Sequence, residues 1–333
     1  MNIAIVGATG KVGNKFIEVL EKRGIKADNF YLYASKKSAG KKLKVFDKEY
    51  IVLELNEENI KNKRIDYALF SAGGIISKDF APIFVRYGAI VIDNSSAFRK
   101  EKDVPLVVPE VNKEDILTHH GIISNPNCST IQMVLPLKVL NDKYKIKRVV
   151  VSTYQAVSGA GQKGVIDLKN GINAIPPKKF VHPIFSNVIP HIDDFLENGY
   201  TREEEKMSFE TRKILHDESV QVTATAVRVP VYNVHSESIN IELERGFNID
   251  NIRKDFEEME NLVVLDDIKN NVYPMPCNVD NDDKVYVGRI RRDETIDNGL
   301  NIWVVGDNIR KGAATNAVQI LECILKYKKD VRL

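Results

Sequence analysis

Apolar residues fall in short, nearly continuous runs over the first 130 residues, with helical patterns between them. Asn2–Gly7 (NIAIVG), Phe30–Ser35 (FYLYAS), Tyr67–Gly73 (YALFSAG), Ala89–Asn94 (AIVIDN) and Ile122–Asn125 (IISN) read as strands. Runs with so few polar positions suit strands covered on both faces, as in a parallel sheet. Lys11–Lys22 sets Val12, Phe16, Val19 and Leu20 at helical spacing, and Lys78–Tyr87 repeats the pattern. Strand and helix alternating in this way predict a doubly wound α/β fold.

From about Lys147 the texture changes. Arg148–Val157 and Ser219–Val231 are long and rich in Val and Thr. His235–Glu244 alternates, with Glu237, Ile239, Ile241 and Leu243 on one face and Ser236, Ser238, Asn240 and Glu242 on the other. Such alternation predicts a second, α+β region built on a mainly antiparallel, half-solvated sheet. Asn301–Asp307 followed by Lys311–Tyr327 reads as a strand and then an amphipathic helix. The short charge run Glu203–Glu205 reads as a solvated face.

Composition narrows the class. A chain of 333 residues is long enough for two domains, and 43% hydrophobic with 28% charged residues excludes disordered and fibrous classes. With 48 basic against 46 acidic residues, a net charge of +2, nothing draws the whole molecule to nucleic acid or an anionic membrane. Three widely spaced cysteines, Cys128, Cys277 and Cys323, predict neither a disulfide framework nor a zinc site. The opening residues carry no signal-peptide pattern and no run is long enough to span a bilayer, so the expectation is a soluble protein of a reducing compartment.

The candidate chemistry starts at the first turn. Gly7-Ala-Thr-Gly-Lys-Val-Gly13 joins the first strand to the first helix. Glycines at 7, 10 and 13 suit a tight turn, close approach of a pyrophosphate and close helix–strand packing, with the helix N-terminus facing the phosphate. The second strand ends in Ser35-Lys36-Lys37-Ser38, with no carboxylate for a ribose 2′-hydroxyl. Serines and ammonium groups there suit a 2′-phosphate and hence NADP; the plainer reading is a polar loop with solvated lysines.

Asn125-Pro-Asn-Cys128-Ser-Thr130 follows a strand and leads into an apolar helical pattern. A cysteine at a helix start is favoured as thiolate and can attack a carbonyl, although free cysteines also serve simply as small core residues. Collapse of a thiohemiacetal at such a cysteine calls for a group that moves protons. His235 stands on the apolar face of its strand, whereas the other five histidines read as surface or packing residues. Arg228 shares a face with Val222, Ala224 and Ala226 and needs an anion, either a structural carboxylate such as Glu237 or a substrate carboxylate. Arg99 follows the C-terminal end of a strand, where ligands collect in such folds.

Together GATGKVG, SAGG (71–74), DNSSAFR (93–99), VPEVN (108–112), NPNCST (125–130), TYQAVSGAG (153–161), RVPVYNVHSE (228–237) and GDNIRKGAA (306–314) closely resemble the aspartate-semialdehyde dehydrogenase family, in order, from residue 1 to about 325. The resemblance implies reversible, NADP-linked reductive dephosphorylation of L-4-aspartyl phosphate to L-aspartate 4-semialdehyde, at the branch to lysine, diaminopimelate, threonine and methionine. It implies a Rossmann-like NADP-binding domain of residues 1–127 plus 307–333, and a catalytic and dimerisation domain of residues 128–306. It makes Cys128 the nucleophile, His235 the general acid/base and Gln155 the residue that orients substrate. Arg228 would clamp the α-carboxylate, Arg99 and Lys206 the phosphate, and Glu203 the amino group. Gly7, Thr9, Gly10, Lys11, Val12, Ser35, Lys37, Ser38, Ser158, Gly159 and Asn308 would contact NADP. Members are cytoplasmic homodimers or tetramers acting on small molecules, with no metal.

Two departures stand out. Lys37 occupies a position where relatives commonly carry arginine, which would make a 2′-phosphate contact a point-charge one. Ala226 stands where many have cysteine. N-acetyl-glutamyl-phosphate reductase and malonyl-coenzyme A reductase are the nearest rivals, and a non-catalytic binding paralogue is the rival of another class. The retained Glu203 and Arg99/Lys206 anion set weighs against the first two, and the intact Cys128, Gln155, Arg228 and His235 against the third.

Overall fold

In the computed structural model, which describes residues 1–330, the first apolar run forms β1 (Asn2–Val6) and leads into α1 (Lys11–Lys22). There follow β2 (Asn29–Ala34), β3 (Lys42–Val45), β4 (Lys48–Glu54), α2 (Glu57–Lys61), β5 (Tyr67–Phe70), α3 (Gly74–Arg86), β6 (Ile90–Asp93), α4 (Pro109–Asn112) and β7 (Ile122–Ser124). The seven strands form one sheet in the order β3-β4-β2-β1-β5-β6-β7, parallel throughout except for the β3–β4 pair.

Two-sided burial explains the unbroken apolar runs. Ile3 and Ile5 of β1 join Phe16, Leu20, Leu32 and Leu69 in one buried cluster, while Ala4 and Val6 join Tyr33, Phe70 and Phe84 in another. Successive side chains of a strand point to opposite faces, so each neighbour in the run needs its own apolar cover. The Phe84 ring meets Phe70 and Tyr33 edge-on at 5.1 and 5.7 Å. The β3–β4 pair escapes a pattern search because Lys42, Lys44, Lys48 and Glu49 are exposed, the usual dress of a sheet edge. Helix α3 starts four residues before the expected Lys78, because exposed Ile75 interrupts the apolar stripe that marks a helix.

The second unit opens with α5 (Cys128–Tyr144), β8 (Ile146–Gln155), α6 (Gln162–Gly171), α7 (Arg202–Leu215), β9 (Gln221–Arg228) and β10 (His235–Leu243). It continues with α8 (Ile249–Glu257), β11 (Leu262–Val264), α9 (Pro276–Val279), β12 (Val285–Asp293) and β13 (Gly299–Gly306). Its six-stranded sheet runs β11-β12-β13-β10-β8-β9. The three inner pairs are antiparallel and the outermost pair at each edge is parallel, so the sheet is mainly antiparallel, as expected, with a parallel pair at each border. Helix α5 is buried nearly all round, from Ser129 to Leu140, as a central helix rather than an amphipathic one.

A π-helical turn, Arg310–Thr315, leads to α10 (Asn316–Asp330), which returns to the first unit. Ala317, Val318, Leu321 and Ile324 of α10 join the cluster of Ile3 and Phe16. The units divide at Pro126/Asn127 and at Gly312/Ala313. The expected second boundary, 306/307, falls too early. Asp307 takes the Asn281 N–H at 2.9 Å, Asn308 takes the Val234 N–H at 2.9 Å, and Arg310 pairs with Asp283 at 2.8 Å, all within the second unit. Of the expected C-terminal segment, residues 331–333 lie outside the described residues. Among the described residues no helix is long and apolar enough to cross a membrane.

The glycine turn is dictated by space. Gly7 has φ +86°, and a Cβ there would lie 2.3 Å from the Ser71 carbonyl oxygen; a Cβ on Gly13 would lie 2.2 Å from the Gly7 carbonyl oxygen. Gly7→Ala therefore adds both backbone strain and overpacking, and should lower unfolding free energy by about 1–3 kcal/mol in urea titrations.

Candidate active site

The second unit gathers most of the candidate catalytic residues around the start of α5. Asn127 caps this helix: its Oδ1 accepts from Ser129 N at 2.9 Å and Thr130 N at 3.4 Å. That places half-buried Cys128 as the first helical residue, where amide dipoles favour a thiolate. The turn is clamped from α7, since the Asn127 N–H donates to Glu210 at 2.7 Å and the Asn127 amide donates to Glu203 at 2.9 Å. Gly312 closes over the cysteine; a Cβ there would lie 2.9 Å from Cys128 Cβ.

Glu203 is the hub. Besides Asn127, its Oε1 accepts from Gln155 Nε2 at 3.2 Å, and its Oε2 pairs with Lys206 at 3.2 Å. Burial pushes the Glu203 carboxyl up, but Lys206 and the two amides together outweigh it and hold the pKa below the ordinary carboxylate value. Lys206 also pairs with Asp193 at 2.6 Å. The expected solvated face at Glu203–Glu205 is thus corrected. Glu203 and Glu204 are both buried, and Glu204 closes a capping box with Thr201 while accepting the Ala226 N–H at 2.9 Å. Helix capping and a polar site consume charges that a sequence pattern assigns to water.

Arg228 and His235 meet at the backbone of one residue, Ala156. An Arg228 Nη donates to the Ala156 carbonyl at 2.7 Å, while the Ala156 N–H donates to His235 Nδ1 at 3.0 Å. The Arg228 Nε is buried without a partner, and the guanidinium lies 5.9 Å from the Phe180 ring. Glu237 makes no hydrogen bond to it, and the carboxylate whose charge bears on the guanidinium is Glu203. A buried guanidinium with an unused N–H suits an incoming carboxylate. A Cβ at Gly159 would fall 2.9 Å from that Nη and 3.3 Å from His235 Nε2, so glycine keeps the approach open.

Burial holds the His235 pKa well below its ordinary 6.5, and the Arg228 charge pushes the same way. The ring is therefore neutral, and acceptance at Nδ1 assigns its proton to Nε2, which is buried without a partner. In this geometry His235 donates from Nε2; acting as a base there requires the other tautomer and loss of the Ala156 bond. The residue before it is strained: Val234, β-branched, sits at φ +75°, its N–H held by Asn308 Oδ1 at 2.9 Å. Asn308 Nδ2 donates to Ser158 Oγ at 3.0 Å, so two expected NADP contacts form one buried pair.

The remaining expected residues lie in the first unit. Arg99, buried after β6, donates to the Asn94 carbonyl at 2.8 Å. Thr9, Gly10, Lys11 and Val12 form the turn and first residues of α1, whose N-terminus no side chain caps. Ser35 and Lys37 are exposed and Ser38 half-buried, in a short turn after β2. The glycine cradle, the uncapped helix start and the absence of a carboxylate at Ser35–Ser38 fit a phosphorylated dinucleotide. Sequence reading passed over Glu210 and Gln132 and treated Asn127 only as a turn residue; its place just before an apolar helix was the available capping signal.

Two outcomes check this geometry. Asn127→Ala should cost about 1–2 kcal/mol in urea unfolding and slow alkylation of Cys128. The unfolded chain binds a proton on this histidine below about 6.5 while the folded chain does not, so stability falls as pH drops through that range. His235→Asn should flatten this part of the stability–pH curve.

Residues 2–119 match the model of the semialdehyde dehydrogenase NAD binding domain, and residues 137–311 that of the semialdehyde dehydrogenase dimerisation domain. The aspartate-semialdehyde dehydrogenase of Aquifex aeolicus is 56% identical, over 97% of this chain and 98% of its own. That of Bacillus subtilis is 45% identical over 98% of both. The crystal structure of aspartate semialdehyde dehydrogenase II from Vibrio cholerae superposes with a TM-score of 0.92 at 42% identity, covering 98% of each chain. That of the Candida albicans enzyme with NADP superposes with a TM-score of 0.76 at 28% identity, covering 97% of this chain and 98% of that one. The family's two domains thus map onto the doubly wound unit and the mixed-sheet unit, and the chain belongs to the aspartate-semialdehyde dehydrogenases.

Proposed function

We propose that Cys128 forms a thioester with the aspartyl group, in the NADP-dependent interconversion of L-4-aspartyl phosphate and L-aspartate 4-semialdehyde. The observation that carries this is the cysteine at the capped start of α5, in one unit with a buried guanidinium whose Nε has no hydrogen-bond partner and a buried His235 Nε2 that has none either. In the reductive direction the thiolate attacks the acyl carbon, the carbon–oxygen bond to phosphate breaks, and the thioester remains. Reduction gives a thiohemiacetal, which collapses to aldehyde and thiolate. NADPH, when bound, supplies the hydride; the Gly7–Val12 turn, Ser35, Lys37, Ser38, Ser158, Gly159 and Asn308 would hold it.

Each tetrahedral species concentrates negative charge on oxygen, and His235 Nε2–H together with the α5 amides would stabilise it. The unused Arg228 Nε would take the α-carboxylate, Glu203 the amino group, and Gln155, anchored to Glu203, would orient the carbonyl. Lys206 and Arg99 would hold phosphate, Lys206 by exchanging Asp193 for it. The dimerisation domain makes the molecule a homo-oligomer; we propose a cytoplasmic homodimer.

The test is NADP reduction by purified protein with aspartate semialdehyde and phosphate, against NAD, arsenate and phosphate-free controls. Cys128→Ala should fall to less than about a thousandth of the wild-type rate while still binding NADP. Full activity in that variant overturns the thioester. Lys37→Ala should raise KM for NADP about tenfold and leave that for NAD unchanged, since only the 2′-phosphate meets the ammonium.

A further inference from the structure

One buried polar cluster beside the reacting pair has no partner in the chemistry above. Glu237 stands two residues after His235 on the same face of β10, is inaccessible to water, and neither carboxyl oxygen has a hydrogen-bond donor. The polar side chain beside it is Gln132 of α5, one helical turn after Cys128, and the Gln132 Oε1 is likewise buried without a donor. Gln132 Nε2 donates to the His235 carbonyl at 3.4 Å. Three buried acceptor atoms of the neighbouring Glu237 and Gln132 side chains are thus left without a hydrogen-bond donor.

A proton on the carboxyl resolves the cluster. We propose that Glu237 is kept as a neutral carboxylic acid that donates to Gln132 Oε1, and that the pair is a positioning device holding His235 against the helix that carries Cys128. One hydrogen bond then joins the carboxyl to the amide, and the amide, its orientation set, spends its N–H on the His235 backbone. Turning the amide over would instead aim its oxygen at the His235 carbonyl and leave an ionised carboxyl without a cation.

The surroundings agree. On this face β8 offers Val149, Val151, Thr153 and Gln155, and β13 offers Leu300, Ile302, Val304 and Gly306. The buried or half-buried titratable groups nearest on the packed elements are His235 on β10, Cys128 on α5, and Arg228 at the end of β9, bonded to Ala156, whereas Glu242 of β10, Lys138, Asp142, Lys143 and Tyr144 of α5, and Lys147, Arg148 and Tyr154 of β8 lie at exposed or partly exposed positions. Burial raises the Glu237 carboxyl well above its ordinary value and outweighs the opposing influence of the Gln132 amide. Gly306, opposite His235 in register, leaves the room Gln132 needs, since a Cβ there would come within 3.0 Å of Gln132 Oε1.

The positioning role rests on the proposed roles of Cys128 and His235, but the protonation state does not. Infrared difference spectra of the cofactor-free protein at pH 8, wild type against Glu237→Gln, should show the carbonyl stretch of a protonated carboxylic acid, shifted in D2O and absent from the variant. Carboxylate bands alone overturn the proposal, whatever the substrate. In turnover, Glu237→Leu should lower kcat about tenfold or more with KM little changed, because reacting groups slightly misplaced lose rate rather than affinity. Glu237→Gln, whose amide can still donate to Gln132, should recover most of that loss. A folded Glu237→Leu enzyme with wild-type kcat, or no recovery in Glu237→Gln, overturns the positioning role. If Glu237→Leu does not fold, Gln132→Leu replaces it with the same expectation and the same contrary result.

Discussion

A carboxylate removed from water keeps its charge only when cations and N–H donors replace the water it lost. Glu203 meets that condition through Asn127, Gln155 and Lys206 at once. Its three partners come from the start of α5, the end of β8 and its own helix α7, so satisfying one charge fixes three elements. The helix that starts at Cys128, the Gln155 amide and the Lys206 ammonium group are thereby placed relative to one another. Because each contact substitutes for hydration, none can be loosened without exposing the others to the cost of an uncompensated ion. Stability and the placement of reactive groups are here the same set of bonds.

Around that hub the site leans on backbone atoms. Ala156 uses its carbonyl to hold Arg228 and its N–H to set the His235 tautomer, so both side chains are referenced to one buried residue. Val234 adds a second restraint, its positive-φ backbone tied through its N–H to Asn308 Oδ1.

The two-layered burial of the first unit was readable because the strands are short and apolar on both sides, as Ile3 to Val6 show. Cys128 was readable as a helix-start residue because Pro126 and Asn127 punctuate the chain immediately before an apolar run. Chain-distant satisfaction was not. Glu203 looks like any acid in a charged helix start until Asn127 and Gln155 arrive from 76 and 48 residues away. The state of His235 was hidden for another reason: a main-chain N–H sets it, and every residue but proline has one. Likewise the edge strand β3 and its hairpin partner β4 carry lysines near a sheet border and so imitate a loop.

The return of α10 to the first unit has a consequence for the chain as it is made. Synthesis runs from the N-terminus, and the whole second unit emerges between β7 and α10. Until Ala317, Val318, Leu321 and Ile324 arrive, the side of the first sheet that they cover stays open to solvent. The first unit to be translated is therefore the last to be finished. A ribosome paused in the final helix would carry a nascent chain with a bare apolar face, the kind of surface on which chaperones act and aggregates begin.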